Sequence, residues 1–400
     1  RGLGDVYKRQ QIGGDRFLYL PSSYGAASDS GVNKYNFGLA SNPYTSLMIV
    51  ENKIGNPDLT WEKAKKMNVG VDINLFNNCL TASFDIFKEK RNNILANRST
   101  SPMIIGANLP AYNFGEMENR GWEMDLNFRH HIQDFHYWAR FNYSFARNEI
   151  IYMDEVQKRY DYQMTTGRRK NQFFGLIFDG YYNSWEEINA LDRPKSSWSG
   201  NQLQPGDVKY VDVNQDGVID DYDMVPIGYT PVPEIIYGFS FGAQYKGFDF
   251  SILFQGADNV SIKYFGRSMW PFAKGEESAK SLIKERWTQE RYEAGEKITF
   301  PRLSLNPNGE TDHNYRPSTL WIRDASYLRL KNLEVGYTFT GGFVKRLNLN
   351  SVRLYFNGSN LFTWTDVVDL DPEAPSRSGN VEINTYPLQK VYNIGLNINF

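Results

Sequence analysis

The feature that most constrains this chain is a strict alternation of apolar and polar residues in several extended segments. From Met67 to Leu75 every second residue is apolar, and the residues between are small or polar. After Asn77 and Asn78 the pattern restarts and continues to Ile86. Successive side chains of a β-strand point to opposite faces of a sheet, so each segment predicts a strand with one apolar and one polar face.

The same pattern returns along the whole chain. Short turns at Gln133–Asp134 and Lys246–Gly247 each separate two alternating segments, and a somewhat longer connection contains Gly341–Gly342. Segments joined in this way predict β-hairpins. The further alternating segments are 122–128, 135–145, 235–245, 248–254, 333–339, 352–356 and 392–400.

The connections between hairpins differ from the turns within them. Roughly residues 96–114, 152–233, 258–318 and 365–386 are long, polar and irregular. Structureless loops of that length are unusual in a compact soluble domain, whereas outer-membrane barrels have short turns on one side and long loops on the other. The sequence therefore predicts an all-β protein, a transmembrane antiparallel β-barrel with long extracellular loops.

A soluble β-sandwich is the alternative, because a sheet packed on one face also alternates. Sandwich strands average about 5 to 6 residues, whereas a tilted membrane-spanning strand needs about 9 to 11. The segment 135–145 meets the longer requirement. Four tryptophans near predicted strand ends, typical of an interfacial aromatic girdle, also favour the barrel: Trp61, Trp122, Trp138 and Trp364.

Charge and cysteine content exclude several other classes. The net charge of −2 gives no basic surface for nucleic acid. Cys79 is the single cysteine, so neither an internal disulfide framework nor a thiolate zinc cluster can form. No run of about 18 apolar residues occurs, which excludes an ordinary membrane-spanning helix.

One polar segment, residues 205–226, has the spacing of a calcium-binding loop. Oxygen ligands fall at the expected loop positions, and Gly217 stands where the chain must turn around the cation. Asp223 replaces the usual bidentate Glu, and no helices flank the loop. The alternative is an Asx-rich turn that binds nothing. The predicted ligands of a structural Ca²⁺ are Asp212, Asn214, Asp216, Val218, Asp220 and Asp223.

Nothing else in the sequence predicts catalysis or an organic cofactor. Gly238 to Gly242 matches the nucleophile-elbow pattern, but alternation continues through Ser240, whereas an elbow needs a strand, a sharp turn and a helix. The histidines form no metal or catalytic motif. They are His130, His131 and His136 near a predicted turn and His313 in a loop.

Residues 276–294 follow a different pattern, with charged residues, apolar residues near helical spacing and no glycine or proline before Gly295. They predict a short helix inside a long external loop. We interpret this segment as a cap on the loop that buries Trp287 locally, without a further function.

The last alternating segment ends at Phe400. An aromatic carboxy-terminal residue after such a strand resembles the signal by which outer-membrane barrels are recognised by their assembly machinery. A coincidental chain end is the alternative.

In their order and spacing, several segments resemble the SusC/RagA family of TonB-linked outer-membrane proteins of Bacteroidota. Each segment alone is weakly specific, but the series covers most of the chain from Asn56 onward. The segments are 56–62, 76–78, 119–123, 206–210, 286–287, 301–302, 327–333, 360–363, 371–373 and the final Phe400.

The resemblance implies that residues 11–400 form part of a TonB-dependent receptor barrel of roughly 22 strands, with about ten strands here. The amino-terminal modules, the TonB box and the plug are expected upstream. Residues 1–10 resemble an adapter-derived peptide and are excluded from the fold prediction.

The resemblance also implies a function: import of oligosaccharides or peptides across the outer membrane. The expected partners are a SusD-like surface lipoprotein, the TonB–ExbB–ExbD complex, the barrel assembly machinery and outer-membrane lipid. Substrate-binding residues are not carried by a shared motif, so none is assigned. The rival function is a secreted, calcium-stabilised β-rich protein that binds or hydrolyses carbohydrate.

Overall fold

A computed structural model describes residues 23–26, 34–38, 44–47, 49–100, 109–198, 203–264, 270–272, 281–304, 312–373, 380–381 and 387–400. The strands are, in chain order, β1 Ser23–Ala26, β2 Lys34–Phe37, β3 Tyr44–Leu47, β4 Ile49–Lys53, β5 Lys63–Leu75, β6 Leu80–Ala96, β7 Tyr112–Ile132, β8 Phe135–Tyr152, β9 Phe174–Gly175, β10 Phe178–Tyr181, β11 Lys195–Ser196, β12 Val208–Tyr210, β13 Val218–Ile219, β14 Val225–Pro226, β15 Ile235–Tyr245, β16 Phe248–Asp258, β17 Ser261–Tyr264, β18 Ile322–Asp324, β19 Tyr327–Phe339, β20 Ser351–Thr365, β21 Asn380–Val381 and β22 Val391–Asn399.

Nine long strands form one sheet, in the order β22-β20-β19-β16-β15-β8-β7-β6-β5. Every neighbouring pair is antiparallel. The predicted hairpins are confirmed, and the described residues supply nine strands of the sheet where about ten were expected. The remaining strands form small sheets of two or three strands.

The tight turns are where the sequence predicted them. β7 and β8 are separated by Gln133 and Asp134, and β15 and β16 by Lys246 and Gly247. Gln133, Lys246 and Gly247 have φ values of 53°, 45° and 90°. Positive φ is typical of the two-residue turns that match the twist of a hairpin.

The pairing register separates side chains into an apolar face and a polar face. One row of the apolar face is Ile73, Ala82, Leu126, Phe141, Phe239, Phe254, Leu330 and Phe362, from β5 to β20. A neighbouring row on the polar face is Asp72, Ser83, Asp125, Asn142, Gly238, Gln255, Arg329 and Thr363. The alternation read from the sequence therefore holds across the sheet.

A β-bulge in β19 changes which alternate residues of that strand point to the apolar face. Leu253 pairs with Asn332 and Phe254 pairs with Leu330, so Lys331 is an extra residue. One extra residue reverses the phase of alternation. Leucines on both sides of the bulge can therefore lie on the apolar face, and Arg329 lies on the polar face.

Helices are few and short. They are Trp185–Ile188, Gln289–Glu293 and Gly342–Arg346, with 3-10 turns at Asp161–Gln163, Asp221–Asp223, Ser281–Glu285 and His313–Tyr315. No helix in the described ranges is long and apolar enough to cross a bilayer.

The prediction of one helix over residues 276–294 is wrong for residues 281–294. Residues 276–280 lie outside the described residues. Instead, the 3-10 turn Ser281–Glu285 is followed by a break and the helix Gln289–Glu293. The break arises because the amide of Trp287 donates to Phe300 O at 2.8 Å, and Thr288 caps the next helix through Arg291 N. Trp287 is buried, as the interpretation of this segment as a loop cap expected.

Candidate functional site

The apolar face of the sheet is exposed. Met67, Val69 and Ile86 are 68%, 66% and 54% accessible, and Ile394 reaches 81%. Soluble proteins rarely expose contiguous apolar surface of this extent. This face is therefore suited to contact a nonpolar environment outside the protein.

The height of the apolar face fits the hydrocarbon layer of a bilayer. β15 alternates over 11 residues, from Ile235 to Tyr245. Eleven residues span ten intervals of about 3.3 Å, which is roughly 33 Å along the strand, or about 23 Å of height at a tilt of about 45°. The apolar band of an outer-membrane barrel is about 25 Å tall.

The polar face carries side chains that hydrogen-bond across strands. Asn68 donates to Asp85 at 3.0 Å, and Ser144 donates to Glu123 at 3.2 Å. Arg353 forms ion pairs with Asp249 and Glu334. These groups need water or polar partners, so this face is suited to line an aqueous interior.

Aromatic side chains lie at one boundary of the apolar face. Trp122 stacks on Tyr143 with ring centroids 4.7 Å apart and lies 5.9 Å from Phe84. Trp364 also belongs to this face, opposite Leu328. Trp138 does not, because it pairs with Arg129 and Gly242 on the polar face. Its assignment to an outer aromatic girdle was wrong.

The long connections fold into a packed unit, here called the loop layer: the described parts of 153–234, 259–326 and 366–373. Its core contains the most deeply buried large side chains of the described chain. The connections therefore have a hydrophobic core of their own, where the sequence predicted irregular loops. Core members include Leu176, Val208, Tyr264, Phe300 and Trp321.

Asp207 links three parts of the loop layer. Its carboxylate accepts Arg302 Nε at 2.6 Å and Asn314 Nδ2 at 2.8 Å. Gly206 has a φ of +92°, and a Cβ there would lie 2.4 Å from the Trp287 ring. Three segments of the family resemblance, 206–210, 286–287 and 301–302, thus meet at one joint.

A second buried cluster joins the sheet to the loop layer. Arg329, with only 3% of its side chain exposed, reaches Asp371 at 2.6 Å and Glu373 at 2.9 Å. Lys331 Nζ lies 2.7 Å from Glu373. Resemblance segments 327–333 and 371–373 therefore form another structural joint.

The acidic loop 205–226 is closed by its own backbone amides. Asp212 accepts hydrogen bonds from Gln215 N at 2.7 Å and Gly217 N at 2.8 Å. The same kind of contact is made by the other side-chain oxygens: Asn214 accepts from Asp216 N, Asp216 from Val218 N and Asp220 from Tyr222 N. In the described part of the chain, no three His, Cys, Asp or Glu side chains gather as a metal-binding group.

Asp223 is fully buried, and its oxygens are also occupied. Oδ1 accepts from Val213 N at 2.8 Å and Asn214 N at 3.4 Å, and Oδ2 from Asp220 N at 2.9 Å. Burial raises the pKa of this carboxyl, and the amides partly offset the rise. Bidentate coordination by Asp223 would compete with these bonds, so this arrangement does not fit a preformed calcium site. Calcium binding stays a prediction.

His313 and Ser196 form the most buried histidine contact, not an active centre. Nδ1 of His313 lies 3.0 Å from Ser196 Oγ, and Nε2 lies 2.8 Å from Val208 O. Burial lowers the pKa of His313. Both ring nitrogens are engaged within the core, which gives the ring a structural role.

The two remaining candidates from the sequence are placed as follows. Ser240 lies within β15, between Arg140 and Leu253, so no nucleophile elbow forms there. Phe400 is 86% exposed, and its carbonyl oxygen accepts Asn350 Nδ2 at 2.6 Å. Its role as an assembly signal stays a prediction.

Comparison with known proteins adds independent findings. The family model described as TonB dependent receptor-like, beta-barrel matches residues 19–361. TonB-dependent receptor P26 of Formosa agariphila is 27% identical over 96% of this chain and 40% of its own length. TonB-dependent receptor SusC of Bacteroides thetaiotaomicron is 26% identical over 100% of this chain and 37% of its own length. This chain thus spans about two fifths of the length of these relatives.

A solved structure shows the same fold. The RagAB peptide importer in its open-open state matches with a TM-score of 0.67 and 23% identity, over 92% of this chain and 37% of that chain. At this level of identity, the likeness concerns the fold alone.

Proposed function

Because this chain belongs to the TonB-dependent receptor-like β-barrel family, we propose that it forms part of the wall of an outer-membrane importer for oligosaccharides or peptides. The resemblance to SusC/RagA proteins read from the sequence is confirmed. The observation that carries the proposal is the two-faced sheet: an apolar face of membrane height and a hydrogen-bonded polar face.

The loop layer supports a role in engaging a partner. It has its own core and is fixed to the sheet by the cluster around Arg329. Binding surfaces are commonly carried by loops that a rigid scaffold positions. We therefore assign this layer as the surface that meets a SusD-like lipoprotein and the nutrient, with TonB supplying the energy.

Fractionation and uptake test this function in the full-length protein. We expect it in detergent-extracted outer membranes, with migration on gels that changes on heating. Cells given labelled oligosaccharides or oligopeptides should accumulate one class, and deletion of the gene or of TonB should abolish the accumulation. Full solubility without detergent would refute the barrel and support a secreted carbohydrate-active protein. TonB-independent uptake would refute the energised mechanism.

A further inference from the structure

Above the aromatic boundary, the apolar face of the sheet becomes charged, and its first charged row is basic. Ile86, Trp122 and Phe145 form one row across β6, β7 and β8. Two residues farther along each strand, the next row on the same face is Lys88, Arg120 and Arg147. The row beyond is mixed, because Lys65 and Lys90 share it with Glu118 and Glu149. Glu118 also forms an ion pair with Lys88 at 2.8 Å, so the basic charge that remains is that of the arginines.

A groove beside the free upper part of β8 extends this basic surface. β8 pairs with β15 only as far as Phe145, and farther along Ile150 exchanges hydrogen bonds with residues 167 and 168. The intervening space is a groove of about 400 Å³. Four arginines line it: Arg120 and Arg147 from the sheet, and Arg168 and Arg169 from the loop layer.

Carboxylates neutralise only part of this charge. Glu234, which is 4% exposed, is shared by Arg147 at 2.8 Å and by Arg169. Glu149 lies 3.8 Å from Arg120, the limit of an ion pair. No ion pair of Arg168 occurs within the residues that the structure describes. The groove therefore has cationic groups free to bind an anion.

The position of this groove along the membrane normal indicates which kind of anion it would meet. Two residues of a tilted strand rise about 5 Å, so the arginines lie about 5 Å above the Trp122 row. The polar interface on each side of a bilayer is about 5 to 7 Å thick. On this basis, which rests on the proposed function, the groove stands at the level of lipid headgroups, on the side of the wall that faces lipid.

We propose that the groove formed by Arg120, Arg147, Arg168 and Arg169 binds the phosphate of a phosphorylated glycolipid of the outer leaflet, such as lipid A. Arginine binds phosphate through paired hydrogen bonds, and the apolar rows around Trp122 contact the acyl chains. A nutrient passing along the polar face would not reach this groove. The groove is therefore a lipid site, separate from the transport path.

The test uses full-length protein purified from outer membranes, stripped of lipid in detergent and titrated with lipid A by native mass spectrometry. Arg120→Gln with Arg168→Gln should weaken binding about thirtyfold, because each basic residue near an anionic surface contributes about fivefold. Lys66→Gln is the matched control. Lys66 lies on the polar face at nearly the same height, 3.2 Å from Glu89, and its removal should leave binding unchanged.

Two further arms identify the ligand. Dephosphorylated lipid A should bind about as weakly as the double variant binds lipid A, and millimolar inorganic phosphate should not compete. Equal binding by the double variant and Lys66→Gln would overturn the proposal, as would competition by free phosphate. Arg168→Gln alone, a change outside the sheet, should still weaken binding if the double variant folds poorly.

The outcome is distinguishable from failure of the import function. If the protein is an outer-membrane importer but the lipid proposal is wrong, all variants will show heat-modifiable migration, normal uptake and the same lipid A affinity. If the import function is wrong, the unmodified protein itself will fail to fractionate with outer membranes.

Discussion

Replacing Ile252 with arginine is the sharpest test of the two-faced sheet. Ile252 lies in the middle of the apolar row of β16, between Phe241 of β15 and Leu333 of β19. The adjacent residue, Ser251, is at nearly the same depth on the polar face, opposite Gly242 and Glu334. The same substitution at the two positions therefore differs mainly in the face that receives the charge.

The expected difference follows from the cost of placing arginine in lipid. Near the midplane of a barrel this cost is about 2 to 4 kcal/mol, which lowers the folding equilibrium by about 25- to 700-fold. At Ser251 the guanidinium faces water and the carboxylate of Glu334. Substitutions at such water-exposed positions usually change the free energy of unfolding by about 0.5 kcal/mol or less.

Equilibrium unfolding of the full-length protein in lipid vesicles, followed by tryptophan fluorescence, measures both free energies of unfolding. In cells, the corresponding measurement is the amount of heat-modifiable protein in outer membranes. Ile252→Arg should lower both quantities, and Ser251→Arg should leave both near those of the unmodified protein. Equal losses at the two positions, or no loss at Ile252, would refute the assignment of the faces.

Three other outcomes are expected. Arg302→Leu leaves the buried Asp207 carboxylate without its cation, which costs about 3 kcal/mol and should speed trypsin cleavage of the loop layer without changing heat-modifiable migration. Because burial lowers the pKa of His313 from 6.5, protonation of its ring opposes folding. Protection of the loop layer from protease should therefore be complete above pH 6.5 and be lost as the pH falls through the pKa of His313 in the folded protein. In His313→Gln, protease protection should depend less on pH. Because the oxygens of loop 205–226 already accept backbone amides, Ca²⁺ must displace these bonds and should raise the melting temperature only at millimolar concentration; an unchanged melting temperature after chelation would contradict calcium binding.

Alternation predicted the sheet because it is a local property of the chain. Each predicted hairpin is present, and its turn lies at the expected residues. The limits of β7 were not predicted: the strand begins at Tyr112, ten residues before the alternating segment at Trp122. Its first half carries charged side chains on the face that is apolar farther along, including Glu116, Glu118 and Arg120.

The loop layer could not be predicted in this way because its contacts join residues far apart in sequence. Asp207 meets a partner 95 residues away, and Val208 N donates to Asn314, 106 residues away. Apart from the near-helical spacing within 276–294, which predicted one continuous helix where the structure has two short ones, single segments of this layer show no clear periodicity. The resemblance segments did mark the joints, although the sequence did not reveal that Gly206, Arg302 and Arg329 have structural roles.

The extra residue in β19 decides which face the first part of this strand shows. If β19 paired with β16 without the bulge, Lys331 would lie opposite Phe254, so that Arg329 would face hydrocarbon and Leu328 and Leu330 would face water. The buried carboxylates of Asp371 and Glu373 would lose the Arg329 cation at the same time. Deleting Lys331 itself removes only the extra residue and keeps Leu330 opposite Phe254, so this deletion should be tolerated better than deletion of a residue elsewhere in the strand, which would move one part of it out of phase.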